Sequence, residues 1–434
     1  AILCAGNLAA ATLSEFIDLT YTTMFAAAED AESIAWVERR QGEERLFVAR
    51  GPDFDRREVV VLAGDTGDTI RSIVLSPNGR WLAYQRGPEP APNGRVPNPA
   101  SLLKPLVDGM WLVDLGNDTA PVMVAEGGGS TQFDPQSDRM AFLKSGAIWT
   151  TNPDQPQVSS ELFIDRGSVA EFAWSPDGEA LAFVTSRRTS SHVGVFRFDS
   201  DRIAWLATGT GRDSSIAWSP DGSEIALLRT PGSAYTEPFR VMQGDPFEVW
   251  KVDVESGASK LLHADPQRHA FRQAGLPLRW LADGRVLFLS DADGFSHLYA
   301  VDSDTAELQQ MTKGSFEVES FVVDQTGQTI AIESNRADVN RRDIATWRVG
   351  QPSFQRASAA NSVAVEPAFV GNTGKIACRS ASETRAPAPI LVAADGSGVE
   401  HELSAVRHME MYRTPETVSF SASDGMQITG TLFP

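Results

Sequence analysis

The stretch AWSPDGEALAFV at residues 173–184 contains the motif that decides the fold, and it returns as AWSPDGSEIALL at 217–228. Each copy has a tryptophan, a Ser-Pro-Asp-Gly turn and an apolar run that alternates like a strand. In such a turn proline presets φ, aspartate caps the backbone, and glycine adopts a positive φ at little steric cost. Because the motif recurs, we interpret Asp177 and Asp221 as turn residues and not as catalytic groups.

Similar stretches run along most of the chain, which makes the motif one copy of an internal repeat. They occur at 28–38, 74–85, 132–143, 279–290, 322–333 and 368–379. Together with the two quoted copies they make eight, mostly about 41 to 47 residues apart. Two intervals are longer, because they hold insertions at 87–106 and 230–247.

The copy around residue 217 shows what one repeat contains. SSIAW, SEIALLR, FEVWKVDV and SKLLHA read as four short strands, separated by turns that carry glycine, aspartate or serine. Four strands at this period are typical of a β-propeller blade. The sequence therefore predicts an all-β fold, an eight-bladed propeller of four-stranded antiparallel blades, with seven blades as the alternative. Trp174, Trp218 and Trp280 are predicted to pack between blades.

Composition narrows the class of protein. The chain has 57 acidic and 38 basic residues in 434, a formal net charge of −19, and its charges are scattered. Nucleic-acid binding needs clustered lysine and arginine, so no nucleic-acid partner is expected. Only Cys4 and Cys378 are present, which does not indicate a disulfide framework. The six histidines show no zinc-binding spacing, so no metal is predicted.

The first residues, AILCAGNLAAATLSE, are apolar, then small, then polar. This order is similar to the end of a secretory signal peptide with its cleavage site near Ala9 to Ala11. We therefore expect residues 1–12 to be a signal-peptide remnant and the protein to be periplasmic or secreted.

Two charged segments are candidates for binding a substrate. Glu317 and Glu319 are two residues apart on a predicted strand, so both side chains should lie on one face, where paired carboxylates can hold an ammonium group. Arg341 and Arg342 lie in the predicted loop NRADVNRRD and could bind a peptide carboxylate. The alternative for both segments is an ordinary solvated surface. The loop SDADGFSHLY at 290–299 lacks ligands that a calcium loop needs, and we interpret it as a β-turn.

No catalytic residue is predicted in this chain. The nucleophile motif G-x-S-x-G and the phosphate-binding P-loop are both absent from the sequence, and no cofactor is implied. One alternative is a propeller with an active site of its own in the central channel, for which Glu317, Glu319 and His297 would be the first candidates.

Several of these segments together carry a family resemblance. They are the WSPDG copies, RWLADGRVLFLSDADGFSHLYAVD, MTKGSFEVESFVVD, ESNRADVNRRDIATWRV and the final PETVSFSASDGMQITGTLF. The chain resembles the N-terminal propeller region of the prolyl oligopeptidase family of serine peptidases, in particular its dipeptidyl peptidase IV-like branch. The last segment looks like the β-hairpin that opens the α/β-hydrolase domain of this family.

The resemblance implies a division of the chain. Residues 13–406 would form the propeller, and residues 407–434 would form a linker and the first hairpin of a hydrolase domain that is missing here. The catalytic serine, aspartate and histidine of the family lie beyond that hairpin, so this chain alone should be inactive. Dipeptidyl peptidases hold the substrate's amino terminus with a Glu-Glu pair, and the one such pair here is Glu43–Glu44, in a predicted hairpin of the first blade.

The function that the resemblance implies is access control in a serine exopeptidase or oligopeptidase. The propeller would gate the passage of short peptides to the hydrolase domain, its own C-terminal partner. Dipeptidyl, aminoacyl, acylaminoacyl and oligopeptide cleavage all stay open, as does a homodimer. The alternative is a stand-alone, TolB-like periplasmic propeller that binds proteins.

Overall fold

The computed structural model describes residues 18–64, 66–88, 95, 98, 101, 103, 106–232, 246–266, 278–383, 385–398, 401–404 and 416–432. The predicted signal-peptide remnant, most of both predicted insertions and residues 407–415 of the predicted linker lie outside these ranges. Within the described ranges the secondary structure consists of strands, turns and bends. These residues form no helix of the length and apolarity that a membrane span requires.

Thirty-two of the strands form eight successive units of four, followed by one hairpin, among the residues that the structure describes. Unit 1 contains β1 Tyr21–Ala27, β2 Ser33–Arg40, β3 Glu43–Arg50 and β4 Asp55–Leu62. Unit 2 contains β5 Thr69–Leu75, β6 Trp81–Gly87, β7 Gly109–Asp114 and β8 Val122–Glu126. Unit 3 contains β9 Thr131–Phe133, β10 Met140–Lys144, β11 Ala147–Thr151 and β12 Ser159–Glu161. Unit 4 contains β13 Ser168–Trp174, β14 Ala180–Arg187, β15 Ser190–Arg197 and β16 Arg202–Leu206.

The second half of the chain continues the pattern. Unit 5 contains β17 Arg212–Trp218, β18 Glu224–Thr230, β19 Phe247–Asp253 and β20 Ser259–Asp265. Unit 6 contains β21 Arg279–Trp280, β22 Arg285–Ser290, β23 His297–Asp302 and β24 Leu308–Gln310. Unit 7 contains β25 Val318–Val323, β26 Thr329–Ser334, β27 Asp343–Arg348 and β28 Gln355–Arg356. Unit 8 contains β29 Val363–Val370, β30 Lys375–Ser382, β31 Arg385–Ala393 and β32 His401–Glu402. The hairpin contains β33 Glu416–Ser421 and β34 Gln427–Leu432.

Neighbouring strands within every unit pair antiparallel in chain order. Units 4 and 5 are additionally joined by one parallel pair, between Ser191 and Arg212. The predicted all-β propeller of four-stranded antiparallel blades is therefore confirmed. The number of blades, eight or seven, stays a prediction for the complete chain.

The hydrophobic core is divided among the borders between units. Each cluster of buried apolar side chains joins two units that are consecutive in the chain. A further cluster joins the last unit to the first, where Trp36 and Phe47 pack with Val370 and Leu391. Burial of apolar surface between neighbouring units thus stabilises the ring and closes it, because no single unit can bury both faces of its own sheet.

The Ser-Pro-Asp-Gly turns do what the sequence predicts. In the first copy the Oδ1 atom of Asp177 accepts hydrogen bonds from the Ser175 hydroxyl at 2.5 Å and from the Glu179 amide at 3.0 Å. The Gly178 amide donates to the Ser175 carbonyl, and Gly178 has a φ of +73°. The second copy repeats these contacts around Asp221. Each carboxylate is therefore used by its own turn.

The tryptophan prediction is confirmed as well. The indole Nε1 of Trp218 donates to the carbonyl of Ala173 in the preceding unit at 3.1 Å. The indole Nε1 of Trp280 donates in the same way to Ala217 at 3.0 Å. Trp174 is buried in the cluster between units 3 and 4. These rings link the first strands of successive units.

The alternation of strand direction gives the propeller two distinct sides. The turns between first and second strands, which include both Ser-Pro-Asp-Gly motifs, lie on one side, here called the turn face. The loops between second and third strands and the connections between units lie on the opposite side, here called the loop face. The loops 291–296 and 335–342 and the connection 311–317 therefore share the loop face.

Ion pairs brace the loop face of four units. In each of these units, an arginine near the end of the second strand binds an aspartate near the start of the first strand. The closest nitrogen and oxygen atoms of each pair are 2.6–2.8 Å apart. The pairs are Arg40–Asp18, Arg86–Asp68, Arg187–Asp165 and Arg229–Asp213. Three of these guanidinium groups also lie over a tryptophan ring, an arrangement that stabilises a partly desolvated cation.

Candidate functional site

The four residues proposed from the sequence lie on the loop face of unit 7. Glu317 directly precedes β25, Glu319 is its second residue, and Arg341 and Arg342 lie in the loop between β26 and β27. All four are half-buried. The fold thus brings together two segments that are about twenty residues apart in the chain.

A β-bulge at Glu319 changes the expected geometry of the two glutamates. Val318 pairs with Ser334 and Ser320 pairs with Glu333, so Glu319 is an extra residue in the ladder. Spacing by two in an interrupted strand does not place side chains on one face as simple alternation does. The same early interruption occurs in the first strands of five other described units. It therefore belongs to the repeat.

Glu319 and Arg342 form an ion pair, with 2.6 Å between Oε1 and Nη2. This hydrogen bond raises the pKa of Arg342, with smaller contributions from the nearby Glu333 and Glu317. The pair shows that the two predicted segments meet. It also means that Arg342 already has a carboxylate partner within the chain.

The other two predicted residues are held elsewhere. Arg341 pairs with Glu383 of unit 8, and its Nε lies 3.6 Å from Asp338. A carboxylate oxygen of Glu317 accepts the backbone N–H of Ser296 at 3.0 Å. The site is thus a network of ion pairs and hydrogen bonds that crosses from unit 6 to unit 8. A substrate role for these residues stays a prediction.

Three charged residues that sequence reasoning missed complete this cluster. Glu333 is 8% exposed, and its Oε2 accepts hydrogen bonds from the Ser320 hydroxyl and the Glu366 amide, each at 3.0 Å. Burial raises the pKa of Glu333, although these two hydrogen bonds oppose the shift. Arg379 pairs with Glu366 at 2.7 Å. Nothing in the local pattern of TIAIES or KIACRS indicates that these strands meet at a charged site.

Glu333 is one example of a contact that recurs around the ring. A glutamate of one unit accepts backbone N–H groups from the bulged first strand of the next unit. Glu44 accepts from Ile70 at 2.6 Å, and Glu171 accepts from Ser215 and Ile216 at 2.8 and 2.9 Å. These amides lie in or directly beside the shift in register, and the carboxylates satisfy them.

The Glu43–Glu44 pair has this structural role. Glu44 is 1% exposed and also pairs with Arg39, while Glu43 lies at the surface against Arg45. The two carboxylates are therefore directed to different partners. This arrangement does not form a shared pocket for a substrate's amino group.

His297 is unsuited to acid–base chemistry in this structure. The ring is fully buried, its Nδ1 is 3.0 Å from the Thr312 hydroxyl, and its Nε2 is 3.0 Å from the Gly314 carbonyl. It also packs edge-on against Phe316. Both nitrogens hold the connection between units 6 and 7, so a proton acceptor facing a substrate is not available here.

The loop at 290–299 forms the turn that was predicted. The Gly294 amide donates to the Asp291 carbonyl at 3.0 Å, and an oxygen of Asp293 accepts from the Gln310 amide at 2.6 Å. No group of three or more metal-ligating side chains with suitable geometry occurs in the part of the chain that the structure describes.

One serine–histidine contact lies on the loop face of unit 4, and the sequence analysis did not single it out. The Ser190 hydroxyl is 3.1 Å from the Nε2 of His192, at the start of β15. An activated nucleophile needs a third group that orients the histidine. The Nδ1 of His192 has no hydrogen-bond partner among the described residues, and the nearby Asp213 is engaged by Arg229. The contact thus lacks its orienting group.

Comparisons with known proteins agree with this geometry. Residues 139–350 match the family model of the dipeptidyl peptidase IV N-terminal region. The dipeptidyl peptidase 4 structure from Porphyromonas gingivalis is similar over 96% of this chain and 65% of that one, with a TM-score of 0.65 and 15% identity.

Two further solved structures share the fold. A structure from a study of two prolyl endopeptidases matches with a TM-score of 0.56 and 11% identity, over 95% of this chain and 54% of that one. A puromycin hydrolase gives 0.55 at 15% identity, over 95% of this chain and 58% of that one. The chain thus spans 54–65% of the length of the structures it matches. Residues 139–350 are thus similar to the dipeptidyl peptidase IV N-terminal region, and the chain shares the propeller fold of these peptidases.

Proposed function

We propose that this propeller controls the access of short peptides to the active site of a serine peptidase, whose α/β-hydrolase domain is joined through β33 and β34. The family match and the peptidases that share the fold support this proposal. The parent reaction would be acyl transfer to a serine, with a histidine as base and an aspartate that orients it. None of these three residues is assigned to the present chain.

The observation that carries the proposal is the uncovered apolar face of the hairpin. Val418 pairs with Gly430 and Phe420 with Ile428, so these side chains share one face of the ribbon, while Ser419 and Thr429 share the other. Phe420 is 57% exposed, and Val418 and Ile428 are about 40% exposed. A two-stranded ribbon is marginal by itself, and a hydrolase domain would supply the surface that covers this face.

We expect peptides to pass along the loop-face cluster on their way to the active site. This name is used for Glu317, Glu319, Glu333, Arg341, Arg342, Glu366 and Arg379. Each of its arginines is paired with a carboxylate, and a passing peptide would meet a polar surface. We expect such a passage to admit short or unstructured peptides and to exclude folded proteins. The gate would therefore select by size more than by sequence.

Two matched substitutions in the hairpin test the attachment of a hydrolase domain. In the protein that includes the sequence after Pro434, Phe420→Asp would place a charge against the covering domain and Ser419→Asp would place it on the opposite face. We expect Phe420→Asp to lower the melting temperature and the cleavage of aminoacyl-p-nitroanilides, and Ser419→Asp to leave both near wild type. Equal effects of the two variants would contradict the proposal.

The coding sequence distinguishes the alternative. An in-frame G-x-S-x-G downstream of Pro434 supports the peptidase, and a stop codon directly after Pro434 supports a TolB-like binding propeller. Gating is tested separately, with a short chromogenic peptide and a folded protein that displays the same cleavable sequence. Cleavage of both at similar rates would contradict size selection.

The predicted site residues have their own test in the complete peptidase. If peptides contact the Glu319–Arg342 pair, Arg342→Gln raises KM with little change in kcat, because the pair binds without reacting. Unchanged KM would make the pair a structural link between strands.

We also propose export to the periplasm or the cell exterior. The support is the composition of the first residues, AILCAGNLAAATLSE. Fractionation of the native host tests this proposal, and recovery in the cytoplasm would contradict it.

A further inference from the structure

Three charged side chains from units that do not border one another interact through space. Arg279 belongs to unit 6, Glu171 to unit 4, and Glu29 to the turn between β1 and β2 of unit 1. Arg279 interacts electrostatically with both glutamates. In a ring of blades, groups from non-adjacent units approach each other only across the central channel. These three residues therefore mark the channel near the turn face.

Arg279 is exposed to water and yet partly enclosed by the protein. Burial lowers the pKa of its guanidinium, and the two glutamates only partly oppose this shift. The neighbouring Trp280 is buried, and its indole is fixed by the Ala217 carbonyl. The backbone that carries the arginine is thus held in place, and its side chain is exposed.

Among the residues that the structure describes, the guanidinium has no carboxylate partner. Its Nη1 donates to the carbonyl of Leu278 at 2.9 Å, and no acidic oxygen of the described residues lies within 4.0 Å of it. Glu171 directs its carboxylate to the amides of Ser215 and Ile216. Arg279 thereby differs from the arginines of the loop-face cluster, which are all paired.

The charge is also unusual for its place in the repeat. Arg279 precedes the last residue of the first strand, next to the turn motif. The matching residues of the seven other units are uncharged: Ala26, Val74, Gln132, Ala173, Ala217, Val322 and Phe369. An arginine here is not needed to build the blade, since seven units form without it.

We propose that Arg279 binds the carboxylate of a peptide's C-terminus inside the central channel. A guanidinium is planar and donates two parallel hydrogen bonds to a carboxylate. The glutamates across the channel disfavour a dianion such as phosphate more than a monoanion, because repulsion grows with charge. The site lies in the propeller itself, so its occupancy can be measured by binding and is independent of any hydrolase activity.

The test compares N-acetyl-triglycine with its C-terminal amide by ligand-observed NMR and isothermal titration. We expect the wild-type protein to prefer the free acid, and Arg279→Gln to weaken binding of the acid about tenfold or more with no effect on the amide. Arg279→Lys should keep part of the preference. Arg348→Gln, which removes an exposed arginine of β27, is the matched control and should change nothing.

Three results would overturn the proposal. They are equal binding of acid and amide by the wild type, no binding of either at millimolar concentration, and an unchanged preference in a folded Arg279→Gln protein. If that variant does not fold, the test uses the preference of Arg279→Lys for the acid and the salt dependence of acid binding to the wild type. A preference for the acid that salt does not weaken would also contradict a charge-based site.

Discussion

Two glycines in identical turns should respond differently to the same substitution. Gly178 and Gly222 both end a Ser-Pro-Asp-Gly turn, with φ values of +73° and +72°. A Cβ atom on Gly222 would meet only Pro176, at 3.6 Å. A Cβ atom on Gly178 would lie 2.3 Å from the Oδ1 of Asp134 in the preceding unit. The turns are the same, and the neighbours differ.

The expected magnitudes follow from these contacts. Alanine in a left-handed conformation costs about 1–2 kcal/mol, which both variants share. Gly178→Ala must also displace Asp134, which is 2% exposed and binds the Gln136 amide, the Ser137 hydroxyl and Arg139 at 2.7–2.9 Å. Disturbing buried, charged hydrogen bonds adds about 1.5–3 kcal/mol.

These free energies translate into small shifts of the melting temperature in a chain of this size. With an unfolding entropy of about 2.1 cal/mol/K per residue, 1 kcal/mol corresponds to about 1 °C. We expect Gly222→Ala to lower the melting temperature by about 1–2 °C and Gly178→Ala by about 3–5 °C. Circular dichroism at one fixed scan rate measures both.

Gly257→Ala is the control for backbone strain alone. Gly257 has a φ of +70°, and a Cβ atom there would meet nothing within 4 Å. It should behave like Gly222→Ala. Equal shifts for all three variants would refute the argument that the contact between units 3 and 4 distinguishes Gly178.

Two further predictions concern carboxylates. Glu44→Ala leaves the buried Ile70 amide without its acceptor and should lower the free energy of unfolding by about 1–3 kcal/mol. Glu43→Ala, at the surface, should lower it by less than about 1 kcal/mol. Urea denaturation measures both, and equal losses would contradict the role of Glu44. Hydrogen bonds from the Ser219 hydroxyl and the Ser223 amide lower the pKa of Asp221 in the folded protein. The ionised carboxylate therefore stabilises the fold at pH values above its unfolded pKa, near 3.9. This stabilisation is lost as the pH falls through the lower pKa of the folded state. The melting-temperature difference between wild type and Asp221→Ala should therefore shrink below about pH 4, and a constant difference down to pH 3 would contradict it.

Local chemistry made much of the fold predictable. The repeat period, the alternation of apolar residues and the turn motif all depend on neighbours within a few residues, and each unit repeats them. The contacts of Asp177 span only Ser175 to Glu179, so they could be inferred from the tetrapeptide and its flanks. The final hairpin was also recognisable, since VSFS and QITG alternate in a simple way.

The candidate site was only partly predictable, because its geometry depends on strands from different units. The bulge at Glu319 breaks the alternation from which its orientation was inferred. Glu333 meets Glu366 across the border between units 7 and 8, at a separation of 33 residues. No periodicity within one repeat encodes such a pair.

The sequence by itself determined the kind of unit, the chemistry of its turns and the family that the chain resembles. The tertiary structure decided which charges are neutralised and which are left to face water. Arg342 was proposed as a binding residue and is paired with Glu319. Arg279 was not proposed, and it has no carboxylate partner among the described residues. The reason is physical: a side chain's availability depends on distances between units that only ring closure sets.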